Sequence, residues 1–239
     1  MSSTASTPGG DPRRPEPAAE ADATGAARPA EPTAAPAPAE ADPGAHSTRL
    51  DDGTVVTWQS WSLGERRGSG GRAVAPILAE DREVAEYARV GGEESIATAE
   101  GAWALRAADG RLDATLPDGR AFVAEAADKP RFSRAKRITV DFGEGAGEPL
   151  VILCESQQHY VIEDAAGGKL GQFTGASHGV RRAEIQYDTP AGRALPEERK
   201  IFLSWVARRV LEARMVSTTW VLTLVLLLLI AYLAYIWML

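Results

Sequence analysis

Cysteine, histidine and lysine are scarce in this 239-residue chain, with one, three and four residues. The single Cys154 excludes a disulfide scaffold, and no Cys/His cluster has zinc spacing. Basic charge is in deficit too, with 26 Lys and Arg against 33 Asp and Glu, a net −7. That balance argues against a general nucleic-acid binder, which needs a basic footprint. Residues 1–47 contain no Val, Ile, Leu or aromatic residue, and residues 215–239 contain no charge. Arg outnumbers Lys 22 to 4 beside abundant Ala, Gly and Pro, a bias of GC-rich coding that reflects ancestry before chemistry.

The N-terminal deficit has a direct consequence. Residues 1–47 hold nine of the fifteen prolines and fourteen alanines. Without large apolar side chains they cannot offset roughly 1–2 kcal/mol of backbone entropy per residue. A disordered arm is expected over 1–47, and the lack of an apolar h-region argues against a signal peptide.

The other end is the opposite case. Met215 to Leu239 is an uncharged run centred on Val221–Ile230. As a helix its 25 residues reach about 37 Å, enough for a hydrocarbon core of about 30 Å. Trp220 stands near one edge, and Tyr232, Tyr235 and Trp237 near the other, the placement of an interfacial aromatic belt. Arg208, Arg209 and Arg214 precede the run and serve as the expected interface anchors on the cytoplasmic side. The expectation is a single-pass tail anchor in the cell membrane with the N-terminus cytoplasmic.

Residues 48–194 read as one β-rich domain. Thr54–Leu63 is dense in β-branched and aromatic residues, and Ala183–Tyr187 alternates polar and apolar. Asp109-Gly110 and Asp118-Gly119 separate short β-prone runs and predict two-residue hairpin turns. Strands are also expected near 103–106, 112–116, 121–124, 137–142, 150–154, 160–163 and 170–173. The expected fold class is mainly β, an antiparallel sheet closed as a barrel or sandwich-like. Residues 195–214 then place Ile201, Phe202, Trp205, Val206, Val210 and Leu211 at helical spacing. That pattern predicts an amphipathic juxtamembrane helix, with one apolar stripe sealing the sheet and the transmembrane helix following.

The short strands, the run Tyr160-Val161-Ile162-Glu163-Asp164, the Gly167-Gly168 turn into Leu170-Gly171, and the hydrophobic closing helix carry a resemblance. Over roughly residues 50–214 the chain resembles the tubby-like or LURP-one-related (scramblase-like) β-barrel group. The resemblance implies a twelve-stranded barrel around a hydrophobic C-terminal helix, and a binding or membrane-associated module. It departs from that pattern in its long apolar run and in Arg208 and Arg209 just before it. No lipid-binding motif of the group is matched residue by residue.

Candidate chemistry is sparse. Gly175-Ala176-Ser177-His178-Gly179 matches G-x-S-x-G, but no His follows His178 to complete the triad order of that fold. The Gly-rich stretch 64–72 lacks the Gly-Lys-Ser/Thr ending of a phosphate loop and reads as a linker between strands. Glu83, Glu86, Glu93 and Glu94 read as a solvated face, and Cys154 as a buried small hydrophobe. Lys129, Arg131, Arg134, Lys136 and Arg137 form the one basic cluster suited to anionic lipid, at about 1 kcal/mol per residue near a charged surface. No catalytic, cofactor or metal residue stands out. The expected partners are the lipid bilayer and either an anionic lipid or a membrane protein, with no nucleic acid. The function expected is a membrane-tethered binding module; the alternatives are an enzyme on a membrane-proximal substrate or an accessory subunit of a membrane complex.

Overall fold

The computed structural model describes residues 46–49, 51, 53–156, 159–175 and 183–238, without the side chains of 216–222 and 224. The expected arm falls outside the described residues except at its last two, His46 and Ser47, which open the first strand. The strands in chain order are β1 (His46–Arg49), β2 (Val55–Leu63), β3 (Arg72–Ala79), β4 (Arg82–Val90), β5 (Glu93–Thr98) and β6 (Gly101–Ala107). There follow β7 (Arg111–Thr115), β8 (Ala121–Ala126), β9 (Arg137–Asp141), β10 (Leu150–Cys154), β11 (His159–Glu163), β12 (Lys169–Thr174) and β13 (Ala183–Tyr187). A short helix α1 (Pro190–Arg193) leads into one long helix, α2 (Glu197–Met238).

Strands β2 to β13 pair antiparallel in sequence order, and β2 meets both β13 and β3, so twelve strands close into a barrel. Closure removes the unpaired edges that an open sheet would expose. β1 lies outside the ring, paired only with the first half of β2. Period-two alternation decides which side chains face inward. Trp103 and Leu105, Leu112 and Ala114, Phe122 and Ala124, and Ile138 and Val140 are all buried, with exposed or half-buried neighbours between them. Inward alanines such as Ala75, Ala114, Ala124 and Ala183 keep the lumen wide enough for a helix.

That helix is the first part of α2. Ile201 to Arg208 is buried on every side, and Phe202 packs edge-on against Phe122 and Phe142 at 5.6 and 6.2 Å. The amphipathic stripe expected over 195–214 is therefore corrected: the helix seals no outer face but runs inside the barrel. Its polar stripe, Lys200, Ser204 and Arg208 at i, i+4 and i+8, is enclosed with the rest. Buried polar groups need partners, and these have them. The Lys200 Nζ donates to Gln59 Oε1 at 2.8 Å and to the Arg193 carbonyl at 2.6 Å, and sits over the rings of Trp61 and Tyr187. The Ser204 hydroxyl donates to the Lys200 carbonyl at 2.8 Å.

The two Asp-Gly turns form, but not in the expected geometry. Neither aspartate has positive φ, so neither turn is the mirror-image two-residue type. Gly110 is required instead by close approach, because a Cβ there would collide with the Pro130 carbonyl oxygen. Turns with both central residues at positive φ are Gly91-Gly92, at 62° and 98°, between β4 and β5, and Gly70-Gly71, at 66° and 86°, just before β3. Strands β3 to β5 have no counterpart in the sequence reading: Pro76 stands inside β3, and acidic residues interrupt the apolar pattern of β4 and β5. Cys154 is half-buried rather than enclosed, and its thiol donates to the Ser156 carbonyl at 2.8 Å.

Beyond the barrel α2 continues without a charged residue. From Val225 to Met238 every large apolar side chain is more than half exposed, reaching 92% at Trp237. Among the described residues no helix is long and apolar enough to cross a membrane. The transmembrane helix expected over 215–239 is accordingly not a finding of the fold.

Candidate functional site at the helix exit

Antiparallel connectivity puts alternate turns at opposite ends of the barrel. Helix α2 enters beside one set, where Glu198 accepts two hydrogen bonds from Arg120 at 2.7 Å and Arg199 donates to the Ala146 carbonyl at 2.6 Å. It leaves beside the other set. There Arg208 donates to the Gly64 carbonyl at 3.1 Å, and Arg214 to the Ala135 carbonyl at 2.7 Å. The helix thus threads the barrel from mouth to mouth.

The exit mouth is tied by a collar of ionic groups. Glu212 accepts from Arg208 at 2.7 Å, within one helical turn, and pairs with Arg66 at 3.0 Å and Arg209 at 3.5 Å. Arg209 also reaches Glu94 at 3.6 Å. The Glu94 side chain is only 7% exposed, so one member of the expected solvated acidic face turns into the barrel mouth instead. Burial, then the Glu94 charge, pushes the Tyr87 hydroxyl up to about 12, with Arg66 and Arg209 acting against both. Nothing local in the sequence marks Glu94 as a mouth residue, since its α2 partner Arg209 lies more than a hundred residues away.

The three arginines expected at a membrane interface are therefore engaged in protein contacts. Arg208 is buried, Arg209 and Arg214 are half-buried, and Arg214 also lies over the Tyr160 ring at 5.5 Å. The physical reason is that the barrel extends as far along α2 as Arg214, so its rim covers the positions that a bare helix would show to headgroups. Tyr232, Tyr235 and Trp237 lie on the exposed part of α2; Trp220 is in the helix, with its side chain outside the described residues.

The basic cluster fares differently. Lys129, Arg131, Arg134 and Lys136 sit in the β8–β9 turn, Arg137 opens β9, and all five are exposed. Phe132 and Ala135 bury beneath them and pin the turn to the rim. The Asp128 carboxylate accepts from the backbone N–H of Arg137 and Lys136 at 3.1 and 3.0 Å, and these bonds hold its carboxyl below the usual range. The Phe132 N–H donates to the Asp109 carbonyl at 2.8 Å, and Arg131 pairs with Asp109 at 3.3 Å. The structure thus brings together at one mouth a cation loop and the departing apolar helix, which are almost ninety residues apart in sequence.

The two mouths differ in sign. Described turns at the exit mouth (64–71, 91–92, 108–110, 127–136 and 155–156) carry six Lys and Arg against four acids. Described turns at the entry mouth (80–81, 99–100, 116–120, 142–149 and 164–168) carry seven acids and only Arg120. Ser177 and His178 of the G-x-S-x-G match lie outside the described residues, and His159 is exposed at the start of β11. Among the described residues no group of three or more His, Cys, Asp or Glu is placed to hold a metal ion.

These features define a class of architecture, a closed twelve-stranded antiparallel barrel threaded by a helix that continues beyond it. No family model, curated protein or solved structure matches the chain.

Proposed function

We propose that this protein is a membrane-tethered β-barrel binding module, anchored through residues 215–239 with the exit mouth turned towards the bilayer. The observation that carries the reading is the exposed apolar half of α2, which no part of the described fold covers. An uncovered apolar surface of this size marks an interaction site, and an uncharged run of this length suits a lipid core. Two further features support it. The exit mouth is the more basic one, as a surface facing anionic headgroups should be. No flexible linker separates Arg214, tied to the rim, from Met215, where the uncharged run begins. A rigid helix then holds the barrel against the membrane, and Lys129, Arg131, Arg134, Lys136 and Arg137 meet anionic lipid at short range. The N-terminal side is cytoplasmic in this arrangement. The barrel plan with its central helix supports placing the chain in the tubby-like or LURP-one-related group.

Membrane fractionation with alkaline carbonate tests the reading, comparing the full chain with a chain ending at Arg214. The expected result is a full chain in the pellet and a soluble truncation whose circular dichroism keeps the β signature. A full chain released into the supernatant overturns the anchor. Vesicle co-sedimentation of the truncation tests the lipid contact: binding to anionic vesicles is expected to fall when the five cations are changed to Gln.

A further inference from the structure

The stretch 64–72 reads as a linker in sequence, but in the fold it is part of a paired hairpin. Arg67 and Val74 exchange both backbone hydrogen bonds, at 2.7 and 2.8 Å, and the Gly64 N–H donates to the Pro76 carbonyl at 2.9 Å. The hairpin stands at the exit mouth on the β2–β3 junction, half the ring of twelve strands away from the cation loop on the β8–β9 junction. Helix α2 leaves between the two and is fastened to both. Arg208 donates to the Gly64 carbonyl and Glu212 pairs with Arg66 on one side, and Arg214 donates to the Ala135 carbonyl on the other. Each side also carries a cross-strand pair of one arginine and one aliphatic residue. The register sets Arg72 opposite Val90 and Arg137 opposite Leu153. With Ala75, Tyr87, Ile138 and Ile152 turned into the lumen, alternation puts all four on the outer wall of the rim. Arg67, Arg72, Val90 and Arg137 are exposed and Leu153 is half-buried. Among the described residues no carboxylate is paired with Arg67, Arg72 or Arg137, although Glu65 and Glu93 are exposed on the hairpin side.

We propose that the exit rim meets an anionic lipid surface at two opposite poles, with Arg67, Arg72 and Val90 as the second, so that the barrel stands upright on the membrane. The inference rests on the membrane reading above and adds a contact that the β8–β9 loop does not supply. A guanidinium beside an apolar side chain suits the headgroup boundary, where the charge meets phosphate and the apolar group reaches the acyl chains. With cations at the β8–β9 side alone, the barrel would lean that way and lift the hairpin from the surface. Cations on both sides of a helix fastened at both sides balance that pull. Gly70, Gly71, Gly91 and Gly92 have open space where a Cβ would stand, so no side chain of theirs holds this part of the rim away from the headgroups. A third pair of the same kind, Arg49 opposite Val55, lies at the entry mouth and is expected to stay in water.

The full chain, with Cys154→Ser removing its one cysteine, is reconstituted in vesicles of phosphatidylcholine and phosphatidylglycerol. A nitrobenzoxadiazole dye is attached at Val90→Cys, Leu153→Cys or Val55→Cys in turn and quenched by aqueous iodide or by spin-labelled lipid. Quenching by lipid and loss of quenching by iodide are expected for the Val90 and Leu153 positions, and the reverse for Val55. Arg67→Gln together with Arg72→Gln is expected to restore iodide quenching at the Val90 position and leave the Leu153 position shielded. Ser69→Cys, exposed in the hairpin loop, is a second probe of the same pole. Circular dichroism of each labelled chain reports whether the fold is kept. Shielding at one pole alone, or at neither, in a chain that resists alkaline carbonate overturns the two-pole contact and leaves the anchor standing. A chain stripped off by carbonate marks failure of the anchor instead. Shielding at the Val90 position unmoved by the two arginine substitutions overturns the cationic pole. Equal lipid quenching at Val55 and Val90 overturns the inference as well, because the dye and not the rim would then be entering the bilayer.

Discussion

The two parts of α2 invert the usual relation between polarity and burial. The part inside the barrel carries Lys200, Ser204 and Arg208 yet is buried, while the part outside carries only apolar and aromatic side chains from Val225 onward and is exposed. In a free amphipathic helix the polar stripe faces water. Here the barrel surrounds that stripe, and Gln59, the Arg193 and Gly64 carbonyls and Glu212 stand in for water. The inversion teaches that burial on this helix is set by what encloses it.

The comparison breaks most sharply by truncating one side chain in each part. Trp205→Ala, at the centre of the lumen, is expected to cost about 3–5 kcal/mol through the cavity it leaves, read as a lower urea midpoint. Leu227→Ala in the outer part is expected to leave that midpoint within about 0.5 kcal/mol. Equal effects would mean that the two parts share one folding unit.

The collar where the two parts meet comes next. Glu212→Gln removes the carboxylate shared by Arg66, Arg208 and Arg209, and is expected to cost about 1–3 kcal/mol. Arg66→Ala added to Glu212→Gln is expected to cost less than the sum of the two alone, since both remove one network. Strict additivity in a double-mutant cycle would show that the contact contributes nothing.

Alkaline titration sharpens the lumen side. Burial raises the hydroxyl pKa of Tyr87 to about 12 and those of Tyr160 and Tyr187 higher still. A folded pKa above the unfolded one, near 10, gives stability that is complete below pH 10 and is lost as pH rises through the folded values. Melting temperature is expected to decline from about pH 10 upward, and Tyr187→Phe is expected to soften the decline. A flat profile to pH 12 would contradict the enclosed lumen.

The smallest effect is expected at the rim. The carboxyls of Asp118 and Asp128 are held below their ordinary value by backbone N–H groups of Arg120 and of Arg137 and Lys136. A depressed folded pKa gives stability present above the ordinary carboxylate range and lost as pH falls through the folded value. A slight fall in melting temperature is expected on acidification, and Asp128→Asn is expected to reduce its pH dependence.

Much of the wall was legible because alternation is local. Trp103–Leu105, Leu112–Ala114 and Ala183–Tyr187 each announce a strand within a few residues. Strands β3 to β5 were not: Pro76 interrupts β3, and Glu83, Glu86, Glu93 and Glu94 mask in β4 and β5 an alternation whose inward members include Ala85, Tyr87 and Ile96. The basic loop was legible as a cluster but not as a rim, since its position depends on Phe132 and Ala135 packing into the barrel. The collar was illegible, because Glu94 meets Arg209 and Arg66 meets Glu212 only through the closed fold.

Sequence alone determined the β-rich class, most strands and the uncharged C-terminal run, all of which depend on side chains a few positions apart. Tertiary structure decided the closure of β2 on β3 and β13, the threading of α2 and the difference in charge between the two mouths. The closure of β2 on β13 and the threading of α2 depend on pairing residues more than a hundred positions apart. No local pattern encodes which distant strand or carbonyl will meet Lys200 or Arg208, because only the closed barrel brings them within reach.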